Sequence, residues 1–259
     1  MKIASFFLTL SLLALGLHSE KAFAVTPLKF CFEDAPQTPW TMPDGSGLNL
    51  ELLKRVERRL GENFELVAKP WKRCLEEVRT GVQDGLIGSA VAPERQQFSV
   101  FPTMPDGSAD RTAALNEDQA KVYIRKDSKA NWDGENLINV QQAILVQRAY
   151  LVGTILQKKG FQIKEIRSIH EALELLVKGA ADIAILQGTE TENVVKYDSS
   201  INSKIRSAEA AFISLPMYLP VNRETYTQNP RRIEAIWNAI REIRTSSEYR
   251  QLLNAAGVP

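Results

Sequence analysis

Hydrophobic positions along the chain switch between two periods, and each switch marks a predicted element. Residues 28–32 form a short apolar and aromatic run that reads as a strand. A Pro-rich loop follows, holding Pro36, Pro39, Trp40, Pro43 and the turn Asp44-Gly45-Ser46-Gly47. Leu52, Leu53, Val56 and Leu60 then recur at helical spacing with charged residues between them, and Gly61 stands where a C-terminal cap belongs. Residues 64–68 read as a strand, 71–80 as a helix ending at Gly81, and 85–91 as a further strand.

The second half repeats this grammar at a constant offset of 98 positions. Leu75, Glu76, Val78, Gly81, Asp84 and Ile87 are matched by Leu173, Glu174, Leu176, Gly179, Asp182 and Ile185. Both copies read helix, glycine stop, acidic turn, apolar strand, and each follows a glycine and a strand, 64–68 in the first and 161–166 in the second. The matched spacing favours two similar αβ units over one long sheet. Ser168 and Glu171 form a capping box at the start of the second copy's helix, with His170 an exposed residue of its first turn. Residues 121–125 read as a strand crossing between the units, and 143–147 as the second unit's own first strand. The chain ends in two helices, one opened by Pro230 with Ile233, Ile236, Trp237, Ile240 and Ile243 on one face, the other marked by Tyr249, Leu252 and Leu253. The expected fold is therefore α/β, with two lobes joined by a hinge of crossing strands and a ligand cleft between them. Lobe 1 spans 25–120 with 218–259 returning to it, and lobe 2 spans 121–217.

The start of the chain stands apart from this pattern. Lys2 precedes an apolar run over residues 3–17, and Ala22-Phe23-Ala24 offers small residues at both positions of an A-x-A cleavage pattern. The run is about 15 residues, short of the ~20 that a spanning helix needs. Residues 1–24 read as a leader cleaved after about Ala24, and the mature chain is expected in the periplasm. Without them the basic and acidic residues are equal in number, so the chain lacks the basic excess that marks a nucleic-acid partner. Export also changes the reading of Cys31 and Cys74, the whole cysteine complement: in an oxidising compartment a disulfide is the default. A metal centre or catalytic thiol would need partners, and the mature chain offers one histidine, His170. No motif for a cofactor is present.

With these features in order, the chain resembles the periplasmic solute-binding proteins of the polar amino-acid type, family 3. The most specific piece is Pro93-Glu94-Arg95 followed by Phe98-Ser99. The variant Pro70-Trp71-Lys72-Arg73-Cys74, with Cys31 in the first strand, looks like a divergent branch of that family. The resemblance implies a type 2 periplasmic binding fold, a small polar ligand, a membrane permease as partner and a monomer. It makes Arg95 the bidentate anchor of a ligand carboxylate, which suits a planar guanidinium. It places Trp40 where an aromatic residue covers the ligand. Trp71 and Arg73 stand at a helix start beside Cys74, with Trp71 facing either the cleft or the core.

Two positions depart from the family's pattern. After the second lobe's first strand the family binds ligand through backbone amides of a Gly and a Ser or Thr; here Gln147-Arg148-Ala149-Tyr150 stands there, with Arg148 and Tyr150 as alternative donors. At the end of the strand over 182–186 the family's amino-acid binders place an Asp for the ligand's ammonium, and this chain has Gln187. Either Glu190 or Glu192 compensates, or the ligand lacks an ammonium. A few proteins of this fold are periplasmic enzymes that eliminate water from cyclic carboxylates with acidic residues of the cleft. Glu33, Asp34, Asp106 and Asp110 keep that alternative open, as does a ligand-sensing module without transport.

Overall fold

The structure, a computed structural model, describes residues 26–258. The leader expected over residues 1–24, with Ala22 and Ala24, lies outside the described residues. The chain begins with β1 (Leu28–Glu33), α1 (Leu48–Leu60), β2 (Phe64–Lys69), α2 (Trp71–Arg79), β3 (Gly85–Leu86), α3 (Pro93–Gln96) and β4 (Ser99–Val100). It crosses into a second unit made of β5 (Asn116–Arg125), β6 (Asn131–Trp132), β7 (Leu137–Ile138), β8 (Ile144–Gln147), α4 (Leu151–Lys158), β9 (Ile163–Ile166), α5 (Ile169–Val177), β10 (Ile183–Gln187), α6 (Glu190–Tyr197), α7 (Ser199–Asn202), β11 (Ile205–Ser207) and β12 (Ile213–Met217). It then returns through β13 (Val221–Asn222) to α8 (Arg223–Gln228), α9 (Pro230–Arg244) and α10 (Ser247–Ala255).

The offset-98 repeat corresponds to one topology used twice. The first sheet has the order β2-β1-β3-β13-β4, and the second runs β11-β5-β10-β8-β9, with β12 also paired to β5. In each, the first strand of a βαβαβ run lies between the other two, all three parallel. An antiparallel strand is added beside the third, β13 against β3 and β5 against β10. Gly81 and Gly179 end their helices at φ 76° and 72°, a conformation open to glycine without steric cost. Val78 and Leu176 are fully buried beneath the helices. Asp84 and Asp182, equivalent in sequence, do different work: Asp84 accepts from the Lys29 N–H at 2.7 Å, whereas Asp182 pairs with Arg125 at 3.0 Å.

Several elements differ from the sequence expectation. The strand expected over 85–91 stops at Leu86. Gly88, at φ 81°, bends the chain out of the sheet, and the Gly88 and Ser89 N–H groups donate to the Tyr218 carbonyl at 3.0 and 3.1 Å. The crossing strand expected at 121–125 begins earlier, at Asn116, because β12 pairs with it from Met217↔Asn116 to Ile213↔Ala120. Ser168 caps α5 by accepting from the Glu171 N–H at 3.2 Å, but the Glu171 carboxylate accepts from Arg167, one residue before the cap. His170 is exposed, as expected.

Between α1 and α9, Leu50, Leu53 and Val56 meet Ile233, Ile236 and Ile240 over Phe30 and Phe32, all buried. Cys31 on β1 and Cys74 on α2 form the expected disulfide, with an S–S distance of 1.98 Å and Cα atoms 5.8 Å apart. The bridge lies in a cluster with Trp71, Val78 and Leu86, against which Ala149 and Tyr150 of the second lobe also pack. No helix among the described residues is long and apolar enough to cross a membrane.

Candidate functional site

Where the lobes meet, both contribute walls to a cavity of about 50 Å³. Trp40, Trp71, Arg95, Tyr150 and Gln187 all line it, together with Glu33 and Asp118. It opens past Glu33, Gln37, Trp71 and Tyr150 into an outer groove of about 830 Å³.

Arg95 is placed by the bend at Gly88 and the single turn of α3. Pro93 occupies the first helical position, where its missing N–H costs nothing, and the Arg95 carbonyl accepts from the Ser99 hydroxyl at 2.7 Å. The side chain is buried. Its Nη1 donates to the Ala90 carbonyl at 3.0 Å and to Ser89 Oγ at 3.2 Å. The guanidinium sits over the Trp71 ring, 5.5 Å from the centroid. Burial lowers its pKa to about 10, so it remains charged at neutral pH, and it enters no ion pair among the described residues. Trp71 answers both of the sequence readings: its ring belongs to the disulfide's core cluster and also faces the cavity.

Tyr150 reaches the cavity because Ala149, at φ 60°, turns the chain sharply after β8. The turn points Tyr150 inward, edge-on to Trp71 at 6.5 Å, and its hydroxyl donates to Glu33 Oε2 at 3.4 Å across the lobes. Burial, followed by the adjacent Asp34 carboxyl, pushes Glu33 up to about 7. Burial and then Glu33 push the Tyr150 hydroxyl well above its ordinary value. Further contacts join the lobes at the rim: Thr189 Oγ1 donates to the Thr38 carbonyl at 2.7 Å, and Lys158 pairs with Glu94 at 3.5 Å.

Three expected residues line the outer groove and not the inner cavity. Arg73 follows Trp71 by two positions on α2, which turns it away, and pairs with Glu77 at 2.7 Å. Arg148, before the Ala149 turn, lies 3.6 Å from Glu165. Glu190, in the first turn of α6, also faces the groove. Glu192 pairs with Lys121 at 2.6 Å.

No acid from α6 therefore stands in for the one absent at Gln187. Gln187 is held by Gln147, whose side chain accepts from its N–H at 2.8 Å and donates to its carbonyl at 3.2 Å. The Gln187 side-chain amide then donates to Asp118 Oδ2 at 3.2 Å. Asp118, near the start of the crossing strand β5, also accepts from the Gln119 N–H at 2.9 Å, and burial raises its carboxyl's pKa. Sequence reasoning missed Asp118. Of the other acids weighed for an enzyme, Asp34 lines the outer groove, Asp106 bonds to Ser108 in its own turn, and Asp110 pairs with Arg241 at 2.7 Å. Neither Asp106 nor Asp110 lines the cavity.

Two αβ lobes closing on a polar cavity define a ligand-binding protein. The chain belongs to the bacterial extracellular solute-binding proteins, family 3, which match it over residues 30–256. Among solved structures it is similar to a histidine kinase sensor domain resembling periplasmic binding proteins (15% identity, 90% of this chain and 96% of that one, TM-score 0.70). It is also similar to the GluR0 ligand-binding core from Nostoc punctiforme in complex with L-glutamate (14%, 90% and 100%, 0.68). A third is the arginine-, lysine-, histidine-binding protein ArtJ from Geobacillus stearothermophilus (20%, 88% and 94%, 0.66). At these identities the likeness is one of fold. No curated protein matches the chain.

Proposed function

We propose that this protein is a periplasmic receptor, exported by its leader, that closes its two lobes over a small carboxylate-bearing solute and hands it to a membrane permease as a monomer. The observation that carries this reading is Arg95, a buried guanidinium that lines the cavity and has no acid partner among the described residues. A ligand carboxylate is the complement of such a group, since a buried charge is costly until paired. Trp71 braces the guanidinium from below, and Trp40 forms the first lobe's aromatic wall. Tyr150 and Gln187 complete the enclosure from the second lobe, so that ligand binding favours the closed state. Arg73, Arg148 and Glu190 act at the mouth, on the part of the solute that leaves the inner cavity.

The reading is tested by screening the purified protein for thermal stabilisation against amino acids and simple carboxylates. A ligand at 100 times its dissociation constant adds about 2.7 kcal/mol. Arg95→Ala removes one partner of a buried charge pair and is expected to weaken the best hit by at least about 2 kcal/mol, roughly thirtyfold. Unchanged affinity would refute the anchor. The likeness to a kinase sensor domain supports signalling as a second reading. Uptake of the labelled ligand by cells with and without the protein separates the two, because a sensor leaves uptake unchanged.

A further inference from the structure

The inner cavity has room for the acidic end of a ligand and little else. A water-sized group needs roughly 10–15 Å³. The cavity's volume of about 50 Å³ therefore holds about four such groups, a carboxylate and roughly one atom more. A carboxylate gripped by Arg95 must send the rest of its molecule out past Trp71 and Tyr150. These two rings line the cavity and the groove alike, edge-on to one another at 6.5 Å, and form the neck between them. The outer groove, at about 830 Å³, is of the size that encloses a whole small molecule.

Beyond the neck the groove offers apolar surface. Ala35, Pro36 and Pro70 line it from the first lobe and Ile169 from the second. Ile169, the first residue of α5, is half-buried and joins neither of the buried clusters of its lobe, so its apolar surface is left to the groove. Three of the groove's charged groups are paired with residues outside it: Arg73 with Glu77, Arg148 with Glu165 and Glu76 with Arg79. Glu33 is engaged by the Tyr150 hydroxyl. Lys72 and Arg167 are matched in number by Asp34 and Glu190, so fixed charge gives the groove no strong preference of sign.

We propose that the outer groove is a second subsite, which takes the aliphatic or aromatic body of a ligand whose carboxylate is held by Arg95. The preferred ligands are then carboxylates with an extended apolar body, and Ile169 is the second-lobe wall that covers it. This rests on the reading of Arg95 as a carboxylate anchor, yet the two are separable. The anchor governs the affinity of every acid, long or short, whereas the groove governs only the gain in affinity with length.

The test measures dissociation constants by calorimetry for straight-chain carboxylates from propionate to decanoate, each with and without a 2-amino group. In the better-bound series, affinity is expected to rise roughly two- to fourfold per methylene through octanoate, as burial of each group from water requires. Ile169→Asn is expected to weaken the octanoate member at least fivefold and leave the propionate member within twofold, while Ile169→Leu keeps the rise. An octanoate member bound less than threefold tighter than the propionate member overturns the proposal, and that measurement on the unmodified protein does not depend on how any variant folds. Short acids that bind and are lost in Arg95→Ala would in that case leave the anchor standing. A full rise in Ile169→Asn also overturns the proposal. A rise with length that survives in Arg95→Ala would refute the anchor while leaving the groove an apolar site. Binding of no compound in either series would refute both.

Discussion

The Tyr150 hydroxyl donates to Glu33 Oε2 at 3.4 Å, one lobe to the other, at the point where the inner cavity opens into the outer groove. The bond exists only when the lobes are together, so its energy belongs to closure and not to the folding of either lobe. A hydrogen bond of this length contributes about 0.5–1.5 kcal/mol. Tyr150→Phe is expected to weaken the best ligand by up to about tenfold while leaving the melting temperature of the ligand-free protein within a degree or two. A large loss of stability without ligand would show the bond to be a folding contact.

Glu33 also sets a pH dependence. Its carboxyl rises from 4.5 to about 7 in the fold, chiefly through burial, so between those values the folded chain holds a proton that the unfolded chain has released. Stability from this group is therefore highest at low pH, falls as pH rises from about 4.5 to 7, and is level above. Glu33→Gln is expected to flatten that slope and to raise the melting temperature at pH 8. A melting series from pH 5 to 8 in which both proteins run parallel would contradict it.

The Cys31–Cys74 bridge spans 43 positions. In the chain-entropy model, closing such a loop stabilises the fold by about 4 kcal/mol. Replacing both cysteines by alanine is expected to lower the unfolding free energy by up to that amount in denaturant titrations. Because α2 carries Trp71, which lies under Arg95, ligand affinity is expected to fall in parallel. A variant with full affinity would show that α2 is held without the bridge.

Gly47 fixes the loop that presents Trp40. At φ 116° it lies in a region open to few residues but glycine, and a Cβ there would stand 2.5 Å from the Trp40 carbonyl oxygen. Gly47→Ala is expected to cost about 1–3 kcal/mol of stability and to weaken ligand binding by displacing Trp40. Unaltered affinity would place Trp40 outside the binding surface.

The repeat of two αβ units was legible because its signals are local: a helical period, a glycine in a left-handed turn, an apolar strand. The turn that presents Arg95 is marked locally by Pro93, whereas the reading of Arg95 as a carboxylate anchor came from the family resemblance and not from spacing. Asp118 was not legible. Asn116-Glu117-Asp118-Gln119 is a polar run outside the strand expected at 121–125, and it joins the strand where β12, about a hundred residues later, pairs with it. Its partner Gln187 is 69 positions away. Which of Arg148 and Tyr150 faces the cavity was equally hidden, because the inward turn of Tyr150 depends on the positive φ of an alanine, a residue with no preference for that conformation.

The position of β13 has a consequence for the order of assembly. That strand lies between β3 and β4, yet it is made only after every residue of the second lobe. The second lobe's sheet is assembled from one uninterrupted stretch of chain, whose ends meet at Asn116 and Met217. The first lobe's sheet keeps a gap until Val221 arrives, and its helical cover waits longer still for α9. A chain emerging from its N-terminus therefore completes its second half before its first, and the lobe carrying Arg95 and Trp71 is the last part of the cavity to become whole.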